Sequence, residues 1–214
     1  MALSSLLPSP KTREMRRVFC RIHAERAWGD GESSSGPGSS RERAAHFLGE
    51  LAELVRSLQV PVLLDAACGD FNWAAPLATC VARYIGVDVV PALISENLRR
   101  SASPNRHFVC RDMVRQRLPA ANLILCRDAL VHLSLRDAMA TLANFRRTGA
   151  EHLIVTTFVG ERANPDIANG EWRPLNMERA PFHFPPPLAL INERCDHTDG
   201  IYRDKRLGLW RLGA

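Results

Sequence analysis

Four short apolar segments of the chain each end at an aspartate or one to two residues before it. The segments are residues 62–64, 84–87, 107–110 and 122–126, and the aspartates are Asp65, Asp88, Asp112 and Asp128. Stretches with helical patterning separate them, and this alternation is typical of a parallel sheet buried on both faces. Such sheets bind ligands beyond the carboxyl ends of their strands. Helix capping explains one or two aspartates there, but hardly four, so we expect the four carboxylates to converge at one site.

The rest of the pattern predicts five helices and three further strands. A capping box of Ser39 and Glu42 begins the second helix, and Ser134 caps the fifth, which Gly149 closes. The helices are expected over residues 11–27, 42–60, 74–81, from Pro91, and over 135–146, and the strands over 152–157, 188–195 and 207–212. We therefore predict a doubly wound, Rossmann-like α/β fold.

Length and composition favour one globular domain and exclude several classes of protein. A chain of 214 residues forms one core with appendages, and residues 1–10 are expected to be a disordered tail. The net charge is +5, yet the arginines are scattered, whereas a nucleic-acid binder concentrates charge on one face. The six cysteines form no zinc-binding spacing, so we expect no metal and reduced thiols in the cytoplasm. No apolar run is long enough to span a membrane.

The turn after the first strand carries only one glycine. It reads L-D-A-A-C-G-D-F-N-W, with Gly69 as its glycine, whereas nucleotide-binding turns in this setting usually have two or three. A dinucleotide site needs the backbone to approach a pyrophosphate closely. The turn therefore argues against a dinucleotide, and it is neutral toward a ligand without phosphate.

The order of motifs resembles that of the class I S-adenosylmethionine-dependent methyltransferases. The motifs are L-L-D-A-A-C-G-D-F-N-W, Y-I-G-V-D, C-R-D-M and A-N-L-I-L-C-R-D-A-L-V-H-L-S. The likeness is closest to a poorly characterised bacterial branch, which also shares W-G-D-G-E-S and D-K-R-L-G-L-W. The resemblance implies a seven-stranded sheet, mostly parallel with an antiparallel last strand. We divide the chain into N-terminal helices with a Gly/Ser-rich lid over residues 11–60, from the patterns above, and a methyltransferase domain over 61–214, which the resemblance implies.

The resemblance also implies which residues hold the cofactor, S-adenosylmethionine. Asp88 would hold the ribose hydroxyls, since a carboxylate accepts two hydrogen bonds from a diol. Asp112 and Met113 resemble the pair beside the adenine, and the turn after the first strand approaches the methionine part. The full expected set is Asp65, Ala67, Cys68, Gly69, Asp70, Trp73, Asp88, Val89, Asp112, Met113 and Arg127.

Residues just past the fourth strand are the candidates for catalysis, because this strand of the family points at the transferred methyl. A hydroxyl acceptor must lose its proton, which a histidine or a carboxylate removes best. Asp128 and His132 are four residues apart and would share one face of a helical turn, with Asp128 orienting His132 as general base. Arg127 is a third candidate. Alternatively, His132 is a core histidine bonded to backbone.

Two segments and one lysine are candidates for binding the acceptor. Residues 158–187 leave the ligand edge of the sheet and form either an acceptor-binding insertion or a proline-stiffened loop, with candidates Asn164, Asp166, Asn169, Trp172, Arg173 and Asn176. Residues 28–40 form a flexible linker or a lid, which Trp28 and Glu32 favour, since linkers rarely contain tryptophan. Lys205 is expected to face solvent, or else to bind an acidic acceptor.

These features favour a methyltransferase that acts on a hydroxyl oxygen of a small molecule, such as a sugar or another metabolite. A nucleic-acid enzyme is disfavoured, because the aromatic motif that holds a flipped base is replaced by C-R-D-A after the fourth strand. A protein methyltransferase and a non-catalytic S-adenosylmethionine-binding protein remain alternatives. An NAD-dependent dehydrogenase is disfavoured by the missing glycines. The oligomeric state stays open.

Overall fold

The computed structural model of the protein describes residues 8–29, 31–195 and 200–213. Most of the expected tail, residues 1–7, therefore lies outside the described residues. The helices are α1 (Pro10–Ala24), α2 (Arg41–Ser57), α3 (Pro91–Ser101) and α4 (Leu135–Arg146). The strands are β1 (Val62–Ala66), β2 (Arg83–Asp88), β3 (Arg106–Cys110), β4 (Leu123–Cys126), β5 (His152–Phe158), β6 (Ala189–Asn192) and β7 (Lys205–Arg211).

All seven strands form one sheet, in the order β3-β2-β1-β4-β5-β7-β6. Strands β1 to β5 pair in parallel, whereas β7 is antiparallel to both of its neighbours, β5 and β6. The prediction of a mostly parallel, seven-stranded sheet with an antiparallel last strand is confirmed. The chain winds outward in one direction from β1 and in the other from β4, so the switch point lies between these strands.

Helices cover both faces of the sheet, which explains why its strands are apolar throughout. Every residue of β4 is buried. Ile124 and Cys126 belong to the core on the face that α4 covers, while Leu123 and Leu125 belong to the core under α2. None of the helices in the described ranges combines the length and the apolar character needed to cross a lipid bilayer.

Two local predictions were wrong. The helix expected over 74–81 is a 3-10 turn, Ala75–Thr79. The Thr79 hydroxyl donates to the Pro76 carbonyl at 2.7 Å, and the Cys80 amide, which would bond there in an α-helix, donates to the Leu77 carbonyl at 3.0 Å. Helix α2 is capped by Ser40, whose Oγ accepts a hydrogen bond from the Arg43 amide at 3.3 Å, and not by Ser39. Ser39 ends a separate 3-10 turn, Pro37–Ser39.

Residues 33–35 of the Gly/Ser-rich segment pack against the turn that follows β1. The Asp70 carboxylate accepts hydrogen bonds from the Ser33 hydroxyl at 2.8 Å and the Ser34 amide at 2.9 Å. The Asp70 amide in turn donates to Ser35 Oγ at 3.0 Å. These bonds hold residues 33–35 against the turn, and the interpretation of the segment as a lid stays a prediction.

Gly69 allows this packing. Its φ is +55°, and a Cβ at this position would lie 2.9 Å from the Ser35 Cβ. Left-handed backbone and close approach both favour glycine here. The single glycine of the turn is therefore required by the segment that lies over it.

Gly69→Ala is expected to lower the free energy of unfolding by about 2–4 kcal/mol, because strain at positive φ and overpacking add. Gly149→Ala is the matched control, since Gly149 has φ +80° with no atom near the added Cβ. The control should lose only about 1 kcal/mol. Urea unfolding measures both, and equal losses would contradict the packing of residues 28–40 on Gly69.

Candidate active site

A cavity opens at the carboxyl ends of β1, β2, β3 and β4, and we call it the first cavity. The loops after these strands provide one wall and α1 provides the other. Ten of the eleven residues predicted to bind the cofactor border it: Asp65, Ala67, Cys68, Gly69, Trp73, Asp88, Val89, Asp112, Met113 and Arg127. The exception is Asp70, whose carboxylate faces residues 33 and 34.

Asp88 connects the turn after β1 to the end of β2. One carboxylate oxygen accepts the Gly69 amide at 3.1 Å, and the other accepts the Val90 amide at 2.9 Å. Burial raises the pKa of Asp88, although these two amides oppose the rise. Each oxygen retains a lone pair, so the carboxylate can accept further bonds from a ligand in the first cavity.

Asp65, at the end of β1, also borders the first cavity and is hydrogen-bonded to the Tyr84 hydroxyl below it. Burial raises the pKa of Asp65 to about 7, although the bond from Tyr84 opposes the rise. The carboxyl group is therefore divided between its two protonation states near neutral pH.

Helix α1 covers the first cavity and is anchored on a predicted site residue. The Thr12 hydroxyl donates to the Asp112 carboxylate at 2.9 Å, and the Val114 amide donates to its other oxygen at 2.9 Å. Met15, Phe19, Ile22 and His23 then line the cavity. None of these residues was predicted to bind the cofactor, although the spacing of Met15, Phe19 and Ile22 is that of one helix face.

A second cavity, of about 990 Å³, adjoins the first on the side of β5 and β7. Its aromatic wall includes Phe158, Trp172 and Tyr202, with Trp172 and Tyr202 ring centroids 4.9 Å apart. Six residues border both cavities: Trp28, Ser35, Ser39, Arg127, Asp128 and His132. All three predicted catalytic residues therefore lie at the boundary between the two cavities.

Four charged side chains form a cluster at this boundary, in which Arg127, Glu193 and Lys205 are buried and Asp128 is partly exposed. Lys205 Nζ lies 2.6 Å from Asp128 Oδ2 and 3.3 Å from Glu193 Oε2. Arg127 donates to the same Glu193 oxygen, from Nε at 2.8 Å and from Nη2 at 2.6 Å. Lys205 is only 8% exposed, so the expectation that it faces solvent was wrong. Glu193 was missed, because no motif or spacing in the sequence distinguishes it.

The cluster keeps Asp128 ionised. Burial alone would raise the pKa of this carboxyl, but Lys205 and Arg127 hold it well below its usual range. Asp128 has φ +52°, and its amide donates to Thr156 Oγ1 at 2.8 Å. The residue is therefore fixed as a carboxylate.

His132 ends a 3-10 turn, Leu130–His132, and its ring stacks on Trp28 with the centroids 4.1 Å apart. Its Nδ1 lies 2.8 Å from the Glu171 carbonyl oxygen, which is only an acceptor, so Nδ1 carries the proton. Burial lowers the pKa of His132, although this bond opposes the change. His132 is therefore neutral near pH 7, with a basic Nε2 that has no hydrogen-bond partner among the described residues.

The predicted hydrogen bond between Asp128 and His132 is not made. The shared face required a continuous helical turn, whereas Asp128 lies in left-handed backbone and the turn begins only at Leu130. Asp128 pairs with Lys205 instead, and the Glu171 carbonyl orients His132.

Most of the polar side chains of residues 158–187 hold the insertion in place. Asp166 accepts the Leu135 amide at 2.7 Å, and Arg173 is 3% exposed and donates to the carbonyls of residues 130, 131 and 133. The Asn169 side-chain oxygen accepts the Ser134 amide. The Asn164 side chain donates to the Asn176 carbonyl and accepts a bond from the Asn176 amide. Of the six predicted acceptor-binding residues, Trp172 alone borders the second cavity.

The two predicted residues of the 28–40 segment differ in position. Trp28 borders both cavities. Glu32 borders neither and instead accepts the Arg41 amide at 3.0 Å and the Asn72 side-chain amide at 2.7 Å. Glu32 therefore acts at the start of α2.

Comparison with known proteins supports the same fold. Residues 63–151 match the family model described as a methyltransferase domain, from β1 to just before β5. Magnesium protoporphyrin IX methyltransferase (ChlM) from Synechocystis PCC 6803 with bound SAM has a TM-score of 0.54 at 15% identity, covering 74% of this chain and 81% of that chain. The chain has the class I methyltransferase fold.

The DhpI-SAM-HEP complex is similar to the same extent, with a TM-score of 0.53 at 17% identity over 73% of this chain and 70% of that chain. No curated protein matches the sequence. The likeness to a poorly characterised bacterial branch stays a prediction.

The raised pKa of Asp65 predicts a pH-dependent stability. The folded protein keeps a proton up to about pH 7 that the unfolded chain releases near pH 3.9. This contribution is complete below the unfolded pKa and is lost as the pH rises through the folded value. Asp65→Asn lacks the titrating group, so between pH 5 and 8 its unfolding free energy should gain about 2–3 kcal/mol relative to wild type. Parallel pH trends in urea unfolding would contradict this assignment.

Proposed function

We propose that the protein is an S-adenosylmethionine-dependent methyltransferase that methylates a hydroxyl oxygen of a small-molecule acceptor. The observation that carries this proposal is the pair of adjoining cavities, with His132 at their boundary. The first cavity lies where the class I fold binds its ligand, and the second provides room for an acceptor. The family match over residues 63–151 supports methyl transfer as the reaction class.

The residues around the first cavity fit the cofactor. Asp88 would accept hydrogen bonds from the ribose hydroxyls, and Asp112 with Met113 would lie beside the adenine. The turn from Ala67 to Gly69 would lie along the methionine part, which has no phosphate to require further glycines. The bound cofactor would supply a methyl group already activated on a sulfonium.

His132 would act as the general base. Its Nε2 would accept the proton that the acceptor hydroxyl loses when it is methylated. The Glu171 carbonyl holds the ring in the tautomer that leaves Nε2 free. Stacking on Trp28 fixes the plane of the ring. Such positioned bases contribute about 10²–10⁴-fold to the rate.

Asp128 would not exchange protons in this reaction. Its carboxyl group stays ionised because Lys205 and Arg127 lower its pKa. Burial would lower the pKa of Lys205, but Asp128 and Glu193 raise it, so Lys205 stays protonated. Neither group therefore competes with His132 for the acceptor proton.

S-adenosylhomocysteine should stabilise the wild-type protein by about 2.7 kcal/mol at 100 times its dissociation constant, and NAD should not. Asp88→Asn keeps the size of the side chain but cannot accept both ribose hydroxyls, so the stabilisation should largely disappear. Glu53→Gln is the control, because Glu53 is exposed and does not border the first cavity. Thermal unfolding with each ligand measures the effect, and no shift of wild type with S-adenosylhomocysteine would refute the proposed cofactor.

His132→Gln should reduce turnover by about 10²–10⁴-fold and leave the affinity for S-adenosylhomocysteine unchanged. The wild-type rate should fall at acid pH, because protonation of Nε2 removes the base, with a midpoint below 6.5, the ordinary value for histidine. His107→Gln is the control, since His107 is exposed and borders neither cavity. The assay measures S-adenosylhomocysteine release over a panel of sugars, phenols and carboxylic acids.

Full activity of His132→Gln would exclude His132 as the base. Binding of the cofactor without turnover of any compound would instead favour a non-catalytic binding protein.

A further inference from the structure

Arg43, in the first turn of α2, has a guanidinium group without a partner among the described residues. Its backbone amide donates to Ser40 Oγ at 3.3 Å, but its guanidinium makes no hydrogen bond or ion pair within the described ranges. The residue is partly exposed and borders the second cavity. Arg43 is therefore accessible to a ligand in this cavity.

The other arginines and the lysine at the described border of the second cavity have carboxylate partners. The two cations of the charge cluster pair with its two carboxylates, and Arg194 Nη2 lies 3.7 Å from Glu50 Oε1. Glu42 also borders the cavity, but consecutive residues of a helix do not face each other, so it does not neutralise Arg43. Of these cations, Arg43 is the one left for a ligand.

An arginine that served only the fold would bond to the chain. Arg173 is an example, since it is 3% exposed and donates to backbone carbonyls around the turn that ends at His132. Arg43 makes no such bonds. Its guanidinium can donate two parallel bonds to the two oxygens of a carboxylate. One guanidinium balances the single charge of a carboxylate, whereas a phosphate group carries about −1.5 to −2.

The carboxylate of the cofactor is not a candidate for this contact. Arg43 does not border the first cavity, where the methionine part of S-adenosylmethionine is expected to lie along the turn after β1. The second cavity is the proposed acceptor site. A carboxylate bound at Arg43 would therefore belong to the acceptor.

The base and the aromatic wall favour a phenolic hydroxyl. Burial lowers the pKa of His132, so its Nε2 is a weak base. A phenol, with a pKa of about 10, loses its proton far more readily than an aliphatic alcohol does. Trp172 is 40% exposed in the same cavity and packs edge-on against Tyr202. An aromatic ring in the cavity would gain the favourable contacts that aromatic rings make with one another.

We propose that the acceptor is a phenolic acid whose carboxylate binds the guanidinium of Arg43 and whose hydroxyl is methylated beside His132. Both residues border the second cavity. Arg43 is then a specificity-determining residue of the proposed methyltransferase, and this inference rests on the proposed function. The phenol gives its proton to His132, while the carboxylate keeps its charge and anchors the acceptor.

The test uses 3-hydroxybenzoate, 4-hydroxybenzoate, 3,4-dihydroxybenzoate and 4-hydroxycinnamate with S-adenosylmethionine, and release of S-adenosylhomocysteine is measured. The wild-type protein should methylate at least one of these acids on its hydroxyl. For that acid, the carboxamide has nearly the same shape but no charge. Its kcat/KM should be about 10- to 100-fold lower, because a hydrogen-bonded ion pair is replaced by a neutral contact.

Arg43→Gln should lower kcat/KM of the acid by a similar factor and cause little further loss with the carboxamide. Arg56→Gln is the matched control, because Arg56 is an exposed arginine of the same helix that borders neither cavity. This control should leave kcat/KM of the acid unchanged. The dissociation constant of S-adenosylhomocysteine should be the same in both variants and in wild type.

Equal losses of Arg43→Gln with the acid and the carboxamide would overturn the proposed contact. A base-labile methyl ester as the product would also overturn it, because the carboxylate would then be the methylated group. No turnover of any phenolic acid by a protein that binds S-adenosylhomocysteine would overturn the acceptor class. Failure of wild type to bind S-adenosylhomocysteine would instead refute the proposed function itself.

Discussion

The ion pair between Lys205 and Asp128 joins the two halves of the candidate site. Lys205 begins β7 and Asp128 follows β4, so a bond of 2.6 Å connects residues 77 positions apart. β5 lies between these two strands in the sheet, and the pair bridges over its end. Removing either charge from water without a partner would cost free energy, so each side chain stabilises the other in its position. Through this pair the antiparallel strand contributes to a site that is otherwise built from parallel ones.

The pair also explains how two neighbouring titratable groups acquire different tasks. Asp128 is held as an anion by its cations, whereas His132, a short distance along the chain, is held neutral by burial. Environments that push the pKa values of adjacent groups apart give those groups different roles. In the proposed reaction, the carboxylate stays ionised and pairs with Lys205, and the imidazole accepts the proton.

The sequence predicted the sheet and the first cavity because both follow from local patterns. Apolar segments ending at Asp65, Asp88 and Asp128 specify parallel strands with their carboxyl ends together, and the structure confirms that sheet. Lys205 and Glu193 could not be found in this way, because their partners are distant in sequence and neither lies in a recognised pattern. A single lysine before an apolar strand can be exposed to solvent or buried in an ion pair, and the sequence pattern is the same in both cases.

The insertion shows a second limit of sequence reasoning. Composition identifies polar side chains but does not say whether they bond to the chain or to a ligand. Arg173 and Asp166 satisfy backbone groups around the turn that ends at His132, which an irregular segment of this length must do to stay folded. Their contribution to the site is therefore indirect. They fix the Glu171 carbonyl and Trp172 in place, and so they position the base on one side and the aromatic wall on the other.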